Sequence, residues 1–103
     1  MPKYDPKKLS LKHRNLLIRE LSLILVNLGK AKEIENFLKD LLSESEQVML
    51  SRRLQIAKLL LNDFNYADIR QKLKVGDGTI MSVKHFLDFG WSGYFKAISR
   101  AKK

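Results

Sequence analysis

Apolar residues recur along this chain at the three- and four-residue spacing of an α-helix, and no segment keeps the strict alternation of a half-buried strand. The pattern therefore predicts an all-α fold. Ser10 is placed to cap a first helix over 11–28, with Leu17, Leu21, Ile24 and Leu28 on one stripe. Leu16, Ile18, Leu23, Leu25 and Val26 spread around its other sides. Nine of its last thirteen residues are apolar, more than one buried face requires, and Gly29 stops it. A second helix, 31–42, is expected to bury Ile34, Phe37, Leu38 and Leu41 and to expose Lys32, Glu33, Lys39 and Asp40.

Ser43-Glu44-Ser45-Glu46 has the form of a capping box, with a hydroxyl and a carboxylate three residues apart that satisfy each other's backbone N–H groups. It opens a third helix over 44–62. Leu50, Leu54, Ala57 and Leu61 form one stripe on it, and Met49, Ile56 and Leu60 a second, so this helix is expected to pack on two sides. Asn62 and Asp63 end it. Asn65 caps a short fourth helix, 66–73, and Lys74-Val75-Gly76 turns the chain into a fifth, 77–89. Gly90 and Gly93 bracket a loop before a last short helix over 94–100.

With 103 residues the chain is expected to form one domain, residues 1–103. It has no cysteine, which excludes disulfide frameworks, thiolate nucleophiles and cysteine-based zinc sites. Its net charge of +9 points to a polyanionic partner, nucleic acid before an acidic membrane surface. That charge is segregated. Residues 1–32 and 69–103 each hold eight basic and two acidic side chains, whereas 33–68 hold four basic and seven acidic. Residues 1–8 and 101–103 read as solvated tails. The bases Lys3, Lys7, Lys8, Lys12 and Arg14 ahead of an apolar run imitate a signal peptide. The run is interrupted by Arg19 and Glu20, lacks a small-x-small cleavage site, and falls short of the roughly 20 apolar residues of a membrane span. A cytoplasmic chain with no membrane partner is expected.

The informative segment is the helical hairpin over 66–89. Its apolar anchors Ile69, Leu73, Val75, Ile80 and Val83 have the spacing of a helix-turn-helix, in which the second helix is held proud so that its first turn enters a DNA major groove. The residues then facing DNA are Asp77, Gly78, Thr79, Met81 and Ser82, with Arg70, Lys72, Lys74 and Lys84 around them for phosphates. Two positions depart from the usual pattern. Arg70 stands where the helices approach and a small residue is customary, and Lys74 stands where glycine would adopt a left-handed conformation at little cost.

Phe37-Leu38-Lys39-Asp40-Leu41-Leu42-Ser43, Arg53-Leu54-Gln55-Ile56-Ala57-Lys58, the hairpin, and Phe89-Gly90-Trp91-Ser92-Gly93-Tyr94 follow one another in the order and spacing of the Trp-repressor superfamily. Over residues 30–95 the chain resembles that superfamily, most closely its YerC/YecD branch. The resemblance implies an intertwined homodimer that binds double-stranded operator DNA. The surplus apolar surface of the helix within residues 1–28 independently suits a dimerisation element. The resemblance also locates an effector pocket, which in tryptophan-sensing members uses two arginines and small residues. Arg53 matches the arginine that meets the carboxylate, and Ser43 replaces a nearby threonine. Ser82 stands where the second arginine stacks on the indole, Val83 where a glycine leaves space, and Phe86 where a serine follows. The pocket is thus expected to be degenerate, with Phe86 filling it, so that no cofactor or tryptophan is needed.

Other chemistry finds little support. His13 and His85 lack partners at metal-ligand or triad spacing. Gly76-Asp77-Gly78-Thr79 has neither the lysine end nor the preceding strand of a phosphate loop. Trp91, Tyr94 and Phe95 are expected to form a small aromatic core under the last helix. The favoured reading is a non-enzymatic, sequence-specific transcriptional regulator, a repressor by resemblance. The alternative is a helical homodimer used for protein–protein assembly, with DNA reading lost. Asp77 motivates it, because an acid at the head of a recognition helix repels phosphate.

Overall fold

The computed structural model describes residues 5–101, and the outermost residues of both expected tails lie outside that range. Among the described residues there are six α-helices and no strand: α1 (Leu11–Leu28), α2 (Ala31–Leu41), α3 (Glu44–Leu61), α4 (Tyr66–Leu73), α5 (Asp77–Phe89) and α6 (Gly93–Ala101). The all-α expectation is met, with helix ends within a residue of those expected. Residues 6–8, expected as solvated tail, form an exposed 3-10 turn, because Asp5 accepts a hydrogen bond from the Lys7 N–H at 2.9 Å. The residues group into two compact units that meet in sequence at Gln47 and Val48.

The first unit carries α1, α2 and the start of α3. The His13 N–H donates to Ser10 Oγ at 3.0 Å and starts α1. Gly29, at φ 70°, ends α1 in a conformation that costs other residues steric strain. No residue of α1 is buried. Leu21, Leu25 and Leu28 are half-buried, while Leu17 and Ile24 of the expected stripe stay exposed. On α2, Ile34, Phe37 and Leu38 are half-buried, and Glu35 faces outward between Lys32 at 3.4 Å and Lys39 at 3.0 Å. The hydrogen bond from Lys39, with both lysine charges, holds the Glu35 carboxyl below its usual range.

The α2–α3 corner is built from local hydrogen bonds. Glu46 Oε1 accepts from the Ser43 N–H at 2.8 Å, and Ser43 Oγ accepts from the Glu46 N–H at 3.2 Å, closing the expected capping box. The Ser43 backbone N–H, followed by its hydroxyl, keeps the Glu46 carboxyl in its charged form to lower pH than usual. Gln47 Nε2 donates to the Leu42 carbonyl at 3.1 Å and to that of Lys39 at 3.4 Å, satisfying acceptors at the end of α2.

The second unit contains every fully buried side chain among the described residues: Ile56 and Ala57 of α3, Ile69 of α4, Ile80 and Val83 of α5, and Ile98 of α6. Leu59, Leu60, Phe64, Tyr66, Leu73, Val75, Leu87 and Tyr94 pack around them. Burying an aliphatic side chain of this size contributes about 1.5–3 kcal/mol. Only part of the expected α3 pattern enters this core. Ile56, Ala57 and Leu60 do, while Met49, Leu50, Leu54 and Leu61 remain exposed.

The aromatic core expected under α6 does not form. Tyr94 packs on the core, but Trp91 is 97% exposed and Phe95 58%. Trp91 sits in the two-residue link between Gly90 and α6, and Ile98 takes the buried position on α6 in place of Phe95. Gly90 is required by close approach: a Cβ there would lie 2.4 Å from the Phe86 carbonyl oxygen. No described helix is long and apolar enough to cross a membrane.

Candidate nucleic-acid interface

Asn65 starts the hairpin by accepting from the Asp68 N–H at 2.8 Å. At the other end of α4, Lys74 adopts the left-handed conformation (φ 57°, ψ 44°) and its N–H donates to the Arg70 carbonyl at 2.9 Å. A lysine there carries a steric penalty of about 1–2 kcal/mol that glycine escapes. Val75 then packs on the core, and Gly76 leads in extended conformation into α5. No side chain caps α5, so its first N–H groups and the positive end of its dipole remain available to an anion.

Buried Ile69, Ile80 and Val83, with Leu73 and Val75 against them, fix α4 and α5 to one core, as the anchor spacing predicts. Since Ile80 and Val83 face inward, the opposite side of α5 faces solvent. Asp77, Gly78, Thr79, Met81 and Ser82 of α5 are all exposed, so the structure leaves the five expected reading residues open to a partner.

The cations around them are not equivalent. Arg70 Nη1 lies 2.5 Å from Asp77 Oδ1, a bridge across the turn from α4 to α5. Lys84 Nζ lies 3.0 Å from Asp88 Oδ1, one turn along α5. Lys72 Nζ stands 5.5 Å from the centre of the Phe64 ring, a cation–π arrangement. Lys74 makes no ion pair among the described residues. Both bridges are half-exposed, and such pairs contribute about 0–1 kcal/mol, so either opens readily when a competing anion arrives. Asp88 and Phe64 are partners that the sequence reading missed. The Lys84–Asp88 spacing of four was a readable signal, whereas the Arg70–Asp77 separation of seven spans a turn and has no helical rule behind it.

A hollow of about 340 Å³ adjoins these exposed residues, lined by Val48, Met49, Arg52, Arg53, Val75, Gly78, Thr79 and Ser82. It unites Arg53 and Ser82 of the expected effector pocket. Arg52 Nη1 donates to Gln55 Oε1 at 2.9 Å. Two other expected residues are not part of its lining. Val83 is a buried core residue, and Ser43 caps α3 in the first unit. Phe86, expected to fill the pocket, is not among the residues that line this hollow. Phe86 follows Ser82 by one turn, about 6 Å along the helix, and lines two separate hollows. One contains Leu60, Leu61 and Leu87, the other Gly90, Trp91 and Tyr94.

A short helix, a tight turn and a second helix with an outward polar face, all on one apolar core, define the class of helix-turn-helix DNA-binding domains. The family model described as Trp repressor protein matches residues 17–102, most of the chain, and the chain belongs to that family. The family consists of helix-turn-helix DNA-binding regulators rather than enzymes. No curated protein matches the chain.

Proposed function

We propose that the chain is a sequence-specific transcriptional repressor that binds operator DNA as a homodimer, without tryptophan as corepressor. The observation that carries this reading is the surface of α5, where Asp77, Gly78, Thr79, Met81 and Ser82 are exposed opposite Ile80 and Val83. Thr79, Met81 and Ser82 read bases, and Arg70, Lys72, Lys74 and Lys84 meet phosphates. Double-stranded DNA and a second copy are the partners, in the cytoplasm, and residues 1–103 act as one functional domain. The exposed apolar residues of α1, Leu16, Leu17, Ile18, Leu23 and Val26 among them, support its role as the dimerisation helix.

The residues at the stacking position weigh against tryptophan. Arg53 offers a carboxylate partner in the hollow, but Ser82 supplies no flat cation to cover an indole face. Losing one such stacking partner costs on the order of 1–2 kcal/mol. Operator binding is therefore expected to be constitutive with respect to tryptophan: calorimetric titration with L-tryptophan should give no saturable heat, and micromolar binding overturns this. Selection of duplexes from a random pool tests the main reading. A consensus with two related half-sites is expected, and the absence of any duplex binding at low salt refutes it. The Arg70–Asp77 and Lys84–Asp88 pairs favour a second reading, protein–protein assembly, because they neutralise two cations of the surface within the chain. Failure of the selection together with a stable dimer favours that reading.

A further inference from the structure

The two ion pairs of the hairpin differ in what they join. Lys84 and Asp88 lie one turn apart on α5, so their bridge changes charge but constrains no angle between helices. Arg70 and Asp77 belong to different helices, and their bridge closes over Lys74-Val75-Gly76. Asp77 also opens the reading helix, next to exposed Gly78 and Thr79 and beside N–H groups that no side chain caps. At that position its carboxylate does two things to an approaching phosphate. It repels the phosphate directly, and it occupies the guanidinium that otherwise attracts it.

We infer that Asp77 is a specificity-determining residue that acts by holding Arg70 across the turn, so that DNA lacking the matching contacts along α5 meets a neutralised pair. The inference rests on the DNA-binding reading above. The half-exposure of both side chains suits such a device, since a fully buried pair would be a permanent lock, whereas an exposed one exchanges partners. Discrimination then arises from an element set against the wrong partner rather than from an added contact with the right one. Phosphates draw Arg70 away more readily where Thr79, Met81 and Ser82 engage the groove than on DNA that lacks those contacts.

The test compares Asp77→Asn and Asp88→Asn with the wild-type chain on two duplexes of equal length, one selected by the wild type and one scrambled. For Asp77→Asn, affinity for the scrambled duplex should rise roughly threefold per subunit at low salt, and the log–log salt slope should steepen by about 0.9 per subunit as Arg70 takes a phosphate. The ratio of selected to scrambled affinity should fall. For Asp88→Asn the slope should steepen with the ratio preserved. An equal loss of affinity for both duplexes in Asp77→Asn overturns the proposal and makes the bridge merely structural. Loss of preference at one base pair with an unchanged slope also overturns it and makes Asp77 a direct reader of cytosine. In the DNA-free chain, Arg70→Met, Asp77→Asn and the double variant should shift the unfolding midpoint non-additively, and additivity overturns the bridge itself. A wild-type chain that binds neither duplex removes the proposal and the DNA reading together, whereas adverse results confined to the variants remove the proposal alone.

Discussion

The two compact units put their apolar sequence to opposite ends. The second closes Ile56, Ala57, Ile69, Ile80, Val83 and Ile98 into a core within one chain. In the first, α1 is as rich in leucine and isoleucine as any segment of the molecule, yet none of its residues is buried. The difference lies in partners rather than in composition. Short helices α4, α5 and α6 turn single apolar stripes onto a shared centre, whereas α1 presents apolar residues on more sides than a neighbour within its unit covers. The self-contained core belongs to the unit that carries the proposed reading surface. The apolar surplus belongs to the unit proposed to find its cover on a second copy.

Removing residues 1–28 is the harshest way to break this comparison. The remainder is expected to aggregate or unfold, because the shared core proposed for the dimer loses one side. A folded, soluble monomer by light scattering would show that the second unit's core is sufficient and that α1 is dispensable. A finer comparison sets Ile80→Ala against Ile18→Ala. The first opens a cavity in a closed core and should cost about 2–5 kcal/mol at any protein concentration. Ile18 is 58% exposed, so its loss should matter only where copies associate. Its effect on the unfolding midpoint should therefore grow with protein concentration, and a concentration-independent shift contradicts the proposed cover. Next in size, Lys74→Gly relieves the left-handed lysine and should stabilise the chain by on the order of 0.5–1 kcal/mol. The same change removes a phosphate partner, so DNA affinity should fall while the melting midpoint rises. If both move together, Lys74 contacts no phosphate.

The smallest expected effect is a matter of pH. Glu46 has its carboxyl lowered in the folded chain by the Ser43 N–H and hydroxyl. A group with a depressed folded pKa adds stability above its unfolded value and loses it as pH falls through the folded one. The capping box should therefore weaken in acid, through and below the usual carboxylate range. Glu46→Gln keeps an acceptor for the Ser43 N–H without the charge, so its melting midpoint should decline less steeply in acid than that of the wild type. Parallel profiles for the two proteins contradict the assignment.

Features set by neighbours in sequence were legible without the structure. Ser10, Gly29, the Ser43–Glu46 box and Asn65 mark helix ends through hydrogen bonds and dihedrals that involve only a few residues, and all four stand where expected. The anchors Ile69, Ile80 and Val83 were legible too, because the hairpin fixes their meeting through a three-residue turn. What failed depended on tertiary direction. Trp91, expected in an aromatic core, stands in a link whose path no periodicity describes. The Arg70–Asp77 bridge was invisible for a related reason. Each residue had been read by its own helix, and the contact exists only across the turn.

Trp91 is the only tryptophan in the chain, and its near-complete exposure makes it an optical gauge built into the protein. Its indole, surrounded by water, should emit at the long-wavelength end of the tryptophan range and be open to collisional quenchers such as iodide. Whatever comes to lie over the link between α5 and α6 must shift that emission to the blue and shield it. Dilution of the chain and addition of duplex can each be followed by the same signal, without a label. A colour that changes with dilution alone reports a second copy over the link, and one that changes only with duplex reports a rearrangement there on binding.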